Sequence, residues 1–247
     1  MCGIFLVYSK NKKINKKKCL KSVSSLKRRG PDKNKYQFFN NNLFIFNSVL
    51  SITGKLDTTN KLYRSPNNNF YLTYNGEIYN YKELRKKWSD YDYQSHSDCE
   101  VINSGYYHLK KQNKFDYLTN KLIIELLDNL DGQFSFVLHD TELKSTLVAR
   151  DPIGITPLYY GLDTENNLYI SSEMKALPNC NIVEVFPAGH YLHITNYQLS
   201  EPGCNIENYI HPYYTETDSG KWLKNYYNFQ IESKRLSYFK NEINLYQ

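Results

Sequence analysis

No two cysteines in this chain are spaced Cys-x-x-Cys, and no apolar run is long enough to span a bilayer as a helix. The five cysteines (Cys2, Cys19, Cys99, Cys180 and Cys204) are odd in number and scattered. That pattern argues against a structural zinc site and a disulfide framework, and suggests a reducing, cytoplasmic compartment. The first residues turn polar by Ser9, too early for a secretory signal. "TDSGKWL" lacks the upstream glycine of a nucleotide-binding P-loop. His190 and His193 lie in a strand-like run, where a spacing of three puts them on opposite faces, a poor metal pair. No metal site and no membrane partner are expected.

What is present is the material of a core. The 247 residues are 40% hydrophobic and 23% charged, and 24 Tyr and 12 Phe supply large apolar surfaces despite a low mean hydropathy. The length suits one large domain or two small ones. The net charge of +6 is concentrated in "SKNKKINKKKC" and "SSLKRRG". Ile14, Cys19, Leu20, Val23 and Leu26 fall along one helical side between the lysines, and Gly30-Pro31 ends the helix. The basic run therefore reads as a solvated helix face. No nucleic-acid-binding signature accompanies it, so nucleic acid is not an expected partner.

Strand-like runs come first: "CGIFLVY", "NNLFIFNSVLSI" and "NFYLTYNGEIYN". Helical periodicity follows over Tyr81 to Trp88, Asp98 to Lys111 and Phe115 to Leu130, with Ser97 and Glu100 spaced as a capping box. After "LDG" the strands resume through "QFSFVLHD", "STLVARD", "PLYYGL", "NLYISSE" and "IVEVFPAGHYLHI". The order strands, helices, strands predicts two antiparallel sheets with helices outside, an α+β fold. Arg150-Asp151 reads as a structural ion pair.

Two short stretches carry chemistry. Cys2 directly follows the initiator methionine. Removal of Met1 would leave one residue bearing both a thiol and an α-amine, whose reference pKa of about 7.7–8.0 suits a general base at neutral pH. Taken alone, a cysteine at this position is more often the buried start of a strand. Asn75-Gly76 could supply an amide donor and a backbone N–H to an oxyanion. Taken alone, the same dipeptide is a hairpin turn.

Read together, "MCGIF", "RRGPD", "LSI", "NGEIYNY", "SDCEV", "LDGQFSFVLHD", "ARDPIGITPLYYG", "SSEMKAL" and "FPAGHYL" occur in the order found in class II glutamine amidotransferases. The stretch from residue 1 to about 200 most closely resembles the glutaminase domain of asparagine synthetase. The resemblance implies a four-layer αββα sandwich of the N-terminal nucleophile type, with no cofactor. It implies hydrolysis of glutamine to glutamate and ammonia through a thioester on Cys2. Asn75 and Gly76 would bind the oxyanion. Glu77 and Asp98 would help hold glutamine, with Asp98 facing its α-ammonium group. Val49, Leu50, Ser51, Ile52 and Thr53 would line the pocket.

Two departures qualify that expectation. The family pattern before "LSI" is His-x-Arg, whereas this chain reads Asn47-Ser48-Val49. The arginine that grips the glutamine α-carboxylate is thus replaced by Val49, which cannot make a bidentate pair. Lys55 and Arg64 are the candidate substitutes. The second departure is that no Ser-Gly-Gly-x-Asp-Ser loop of the ATP-dependent synthetase domain occurs here. Residues 201–247 are expected to be a tail resembling the linker towards that domain. The expected partners are glutamine and a synthetase subunit acting in trans. The alternative is a weak or inactive relic that binds a partner or regulates it.

Overall fold

The computed structural model describes residues 2–9, 13–50, 62–67, 69–112, 119–177, 180–195 and 206–214. Residues up to Tyr213 form one compact unit, and those from Tyr214 onward form another, which lies outside the described residues except for Tyr214. The expected tail at 201–247 therefore falls largely outside them too.

The first unit is built on two antiparallel sheets. One contains β1 (Gly3–Tyr8), β2 (Lys33–Phe39), β3 (Leu43–Val49), β8 (Tyr159–Asp163), β9 (Leu168–Ser171) and β10 (Cys180–Val185), in the order β10-β8-β9-β1-β3-β2. The other contains β4 (Tyr63–Arg64), β5 (Phe70–Ile78), β6 (Gly132–Asp140), β7 (Ser145–Arg150), β11 (His190–Thr195) and β12 (Ile210–Pro212), in the order β12-β11-β7-β6-β5-β4. The helices among the described residues are α1 (Lys16–Ser24), α2 (Tyr81–Lys87), α3 (Glu100–Gln112) and α4 (Asn120–Asp128).

Strand β1 is apolar throughout because both of its faces are covered. Ile4, Leu6 and Tyr8 join Val137, Val148, Leu192 and Ile194 of the opposite sheet in the central core. Phe5 and Val7 point the other way, onto Cys19, Val23 and Leu26 beside α1. Beyond the second sheet, Phe70 packs on Tyr106 of α3 with ring centroids 5.2 Å apart. Helix, sheet, sheet, helix is the expected α+β sandwich. Among the described residues no helix is long and apolar enough to cross a membrane.

Several local expectations shift. Helix α1 buries Cys19 and Val23 as its spacing requires, but Leu20 stays exposed. The third helical stretch forms over Asn120–Asp128, with the Thr119 hydroxyl capping Leu122 N–H, while Phe115 lies outside the described residues. The capping box does not close. The Ser97 hydroxyl sits 3.1 Å from Cys99 Sγ, and the Glu100 carboxylate turns back to accept the Gln94 and Ser95 N–H groups at 2.6 and 2.8 Å. Tertiary packing decides this, since Glu100 is buried and lies 3.6 Å from Arg85.

Candidate active site

The site lies where the first residues of β1 meet the ends of β3 and β5. Cys2 precedes Gly3, whose lack of a side chain is required because a Cβ there would collide with Ser48 Oγ. The thiol is partly buried, and Leu50 N–H points to Sγ at 3.4 Å. Burial raises the Cys2 pKa, opposed by that N–H and by the Arg29 charge, with Asp98 adding to the rise. A thiol in this setting is mostly protonated at neutral pH and needs a base to become a nucleophile.

Asn75 and Gly76 lie inside β5, not at a hairpin tip, so the turn reading is excluded. Gly76 has φ +143°, and a Cβ there would strike the Gln133 carbonyl of the neighbouring strand. Only glycine tolerates both the backbone conformation and the approach. Asn75 is fully buried, yet neither its Nδ2 nor its Oδ1 has a hydrogen-bond partner among the described residues. Such an orphan amide normally costs about 1–3 kcal/mol, which a hydrogen bond to a ligand would offset. Ser135, paired with Asn75 across the ladder, also has a buried hydroxyl without a partner.

Asp98 is anchored at the same edge. Its Oδ2 accepts from Tyr74 OH and from Ile78 N–H, each at 2.8 Å. Burial and the Asp98 charge push the Tyr74 phenol far up, so it stays a donor. Among the described residues, Asp98 Oδ1 has a long 3.5 Å contact from Ser97 Oγ and no shorter one. Glu77 follows Gly76 and is exposed. Val49 is buried at the end of β3, and Leu50 is half-buried beside Cys2. Ser51, Ile52, Thr53 and Lys55 lie outside the described residues. Arg64 is exposed on β4, whereas Lys33 is the residue paired with Val49 across the β2–β3 ladder.

Sequence reasoning missed Arg29. It belongs to the run read as a solvated face, and its neighbour Arg28 is indeed exposed. Arg29 instead donates from Nε to the Cys2 carbonyl at 2.9 Å and lies 3.4 Å from Glu173, while its buried Nη2 has no partner. The available signal was "RRGPD" itself, which was matched but given no role. Ser172 was also missed: its hydroxyl accepts Ile4 N–H and its N–H donates to the Ile4 carbonyl, both at 3.0 Å, fixing β1 from its other edge.

Arg150 and Asp151 are architectural, though each works mainly on backbone. Arg150 donates to the carbonyls of Thr156, Phe186 and Gly154 at 2.8, 2.5 and 2.7 Å. Asp151 accepts the N–H groups of Gly154, Ile155 and Thr156 at 2.6, 2.9 and 3.1 Å. Among the described residues no group of three His, Cys, Asp or Glu side chains could hold a metal ion. A cavity of about 140 Å³ lined by Tyr8, Phe39, His139 and Ile194 opens at the opposite end of β1 from Cys2.

A family model described as "Glutamine amidotransferase domain" matches residues 1–200. The asparagine synthetase B (glutamine-hydrolyzing) of Escherichia coli K12 is 37% identical over 225 residues, which are 90% of this chain and 37% of that protein. The asparagine synthetase (glutamine-hydrolyzing) of Asparagus officinalis is 37% identical over 193 residues, 77% of this chain and 30% of that protein. The chain thus spans 37% and 30% of the length of these two relatives. In three dimensions it is similar to the glutamine phosphoribosylpyrophosphate amidotransferase from B. subtilis, complexed with ADP and GMP. That match has a TM-score of 0.61 at 21% identity and covers 78% of this chain and 47% of that one. A structure titled as the allosteric regulatory enzyme of purine biosynthesis gives a TM-score of 0.62 at 21% identity, with the same coverage. At that identity the likeness is one of fold.

Proposed function

Because the chain belongs to the glutamine amidotransferase domain family, we propose that it hydrolyses glutamine to glutamate and ammonia in the manner of an asparagine-synthetase glutaminase domain. The observation that carries this reading is the buried Asn75 amide, left without a partner on β5 one residue from Tyr74, whose carbonyl shares the Asn47 amide with that of Gly3, the neighbour of Cys2.

Removal of Met1 frees the Cys2 amine. That amine takes the thiol proton, and Sγ attacks the side-chain carbonyl carbon of glutamine. The developing oxyanion is stabilised by Asn75 Nδ2 and the Gly76 N–H, donors that are worth most in a site shielded from water. The proton held by the amine passes to the leaving nitrogen, and ammonia departs as the carbon–nitrogen bond breaks. Water then attacks the thioester, the amine again moving the proton, and glutamate leaves with the thiol restored. No cofactor takes part. The raised Cys2 pKa supports the need for a base within the same residue.

Binding is the weak point of the site. Asp98 Oδ1 is open to an α-ammonium group, and Glu77 and the segment Val49–Thr53 complete the pocket. In place of the family arginine stands Val49, and Arg29, whose buried Nη2 has no partner among the described residues, is a candidate cation for the carboxylate. A lost charge-assisted pair costs about 1.5–3 kcal/mol, roughly 10- to 100-fold or somewhat more in affinity. Weak glutamine binding follows, and a Cys2→Ala form titrated calorimetrically with glutamine tests it; micromolar affinity would refute it. The ammonia would pass to a synthetase activity, supplied by a subunit acting in trans. The second reading, a weak or inactive relic that binds or regulates a partner, draws its support from Val49 alone.

The deciding experiment is glutamate release by the purified chain together with its intact mass. Release from chains lacking Met1 supports the enzyme. A processed N-terminus with no release at millimolar glutamine favours the relic.

A further inference from the structure

Cys2 and Asn75 belong to different sheets. Cys2 leads into β1, which is laddered to β3 and β9, whereas Asn75 lies in β5, laddered to β6. Those ladders fix each residue within its own sheet and leave the distance between sheets to the core. Apolar burial between two sheets is non-directional, so it sets their spacing better than their lateral register. Acyl transfer from a thiol to an oxyanion hole demands register to a fraction of an ångström.

We infer that Asn47 is a positioning residue for the proposed glutamine hydrolysis, because its side-chain amide ties the nucleophile strand to the oxyanion strand across the two sheets. This rests on the glutaminase reading of the site. Asn47 sits on β3 opposite Ile4 and is 1% exposed. Its Nδ2 donates to the Gly3 carbonyl at 3.0 Å and to the Tyr74 carbonyl at 3.3 Å, with a longer 3.5 Å contact to the carbonyl of adjacent Ser48. An amide nitrogen has two hydrogens, and the two shorter contacts use both. Gly3 is the residue after Cys2, and Tyr74 is the residue before Asn75. One planar group therefore fixes the backbone next to the nucleophile relative to the backbone next to the oxyanion donor. A second crossing lies beside it, where Thr73 Oγ1 of β5 donates to the Phe46 carbonyl of β3 at 3.3 Å. Neither acceptor of Asn47 is a reacting atom, so Asn47 acts through the backbone.

The family pattern places histidine here, which also carries a ring N–H. Asn47→Asp keeps the shape and removes both donors. It should lower kcat for glutamate release about 10- to 100-fold, as expected for a displacement of about 1 Å, with KM for glutamine held within about twofold. Asn47→His should recover kcat to within about threefold of the parent. If Asn47→Asp does not fold, Thr73→Val removes the companion crossing at nearly constant volume and should lower kcat with KM unchanged. A folded variant with unaltered kcat, or one whose loss lies in KM, overturns the inference. Should the parent chain release no glutamate, the glutaminase reading has failed and amide hydrogen exchange decides the positioning. Ile4 and Asn75 should lose protection in the variant while Leu138 and Val148 keep theirs. A uniform change, or none, overturns it.

Discussion

The end and the middle of the β5–β6 ladder treat buried polar groups in opposite ways. At one end Asp140, opposite Phe70, is fully buried and fully partnered. It accepts from Tyr106 OH at 3.0 Å, from Lys110 Nζ at 2.7 Å, and from the N–H groups of Glu142 and Leu143 at 2.8 and 3.0 Å. Just past the middle of the ladder Asn75 and Ser135, equally buried and opposite each other, have no partner for Nδ2, Oδ1 and Oγ among the described residues. Burial is the same, so burial alone does not mark function. The difference lies in satisfaction: Asp140 spends its hydrogen bonds on the protein, whereas the Asn75 amide keeps its own for the proposed oxyanion.

That contrast can be broken by experiment. Cys2→Ala should abolish glutamate release, by more than about 10³-fold, because no other nucleophile replaces the thiol, and its melting temperature should barely move. Asn75→Ala should lower kcat about 10²- to 10³-fold without loss of stability, since no protein partner is stranded; a marked fall in melting temperature would show that the amide is structural after all. Asp140→Ala should do the reverse. It strands the buried Tyr106 hydroxyl, while Lys110 keeps Glu142 at 2.6 Å, and should cost about 1–3 kcal/mol in denaturant unfolding, with surviving folded protein keeping its kcat.

The far end should also make stability sensitive to acid. Burial lowers the His139 pKa to about 4, from an ordinary value near 6.5. The ring is neutral in the folded chain, and the unfolded chain binds the extra proton. Stability is therefore intact above pH 6.5 and falls progressively as pH drops towards 4, by on the order of 3 kcal/mol. Burial lowers His193 to about 4 as well, so His139→Phe should make that limb shallower, and His193 should account for the rest, in chemical denaturation at several pH values. The smallest change expected is a gain. Val49→Arg should tighten glutamine binding by roughly 10- to 100-fold on the Cys2→Ala background, measured by calorimetry. An unchanged affinity would show that Arg29 already fills the role.

Some of this was legible in residue order. The apolar run from Gly3 to Tyr8 announced a strand covered on both faces, and the spacing around Tyr81 gave α2. Asn75-Gly76 was ambiguous in sequence because a hairpin and an oxyanion site use the same dipeptide. Arg29 was hidden among lysines that do face water, and Glu100 carried a capping signal that its buried neighbours overrode. None of these depends on local pattern; each depends on what the second sheet or a distant loop brings alongside.

The sequence by itself determined the family, the strand and helix order, and the presence of Cys2, Asn75, Gly76 and Asp98, because ordered motifs and side-chain periodicity are local properties of the chain. Only the tertiary structure decided which of the buried polar groups remain unpaired, that Arg29 turns inward to the Cys2 carbonyl, and that Asn47 joins one sheet to the other. Hydrogen-bond satisfaction between residues 27 to 48 positions apart is a property of packing, which no single stretch of sequence contains.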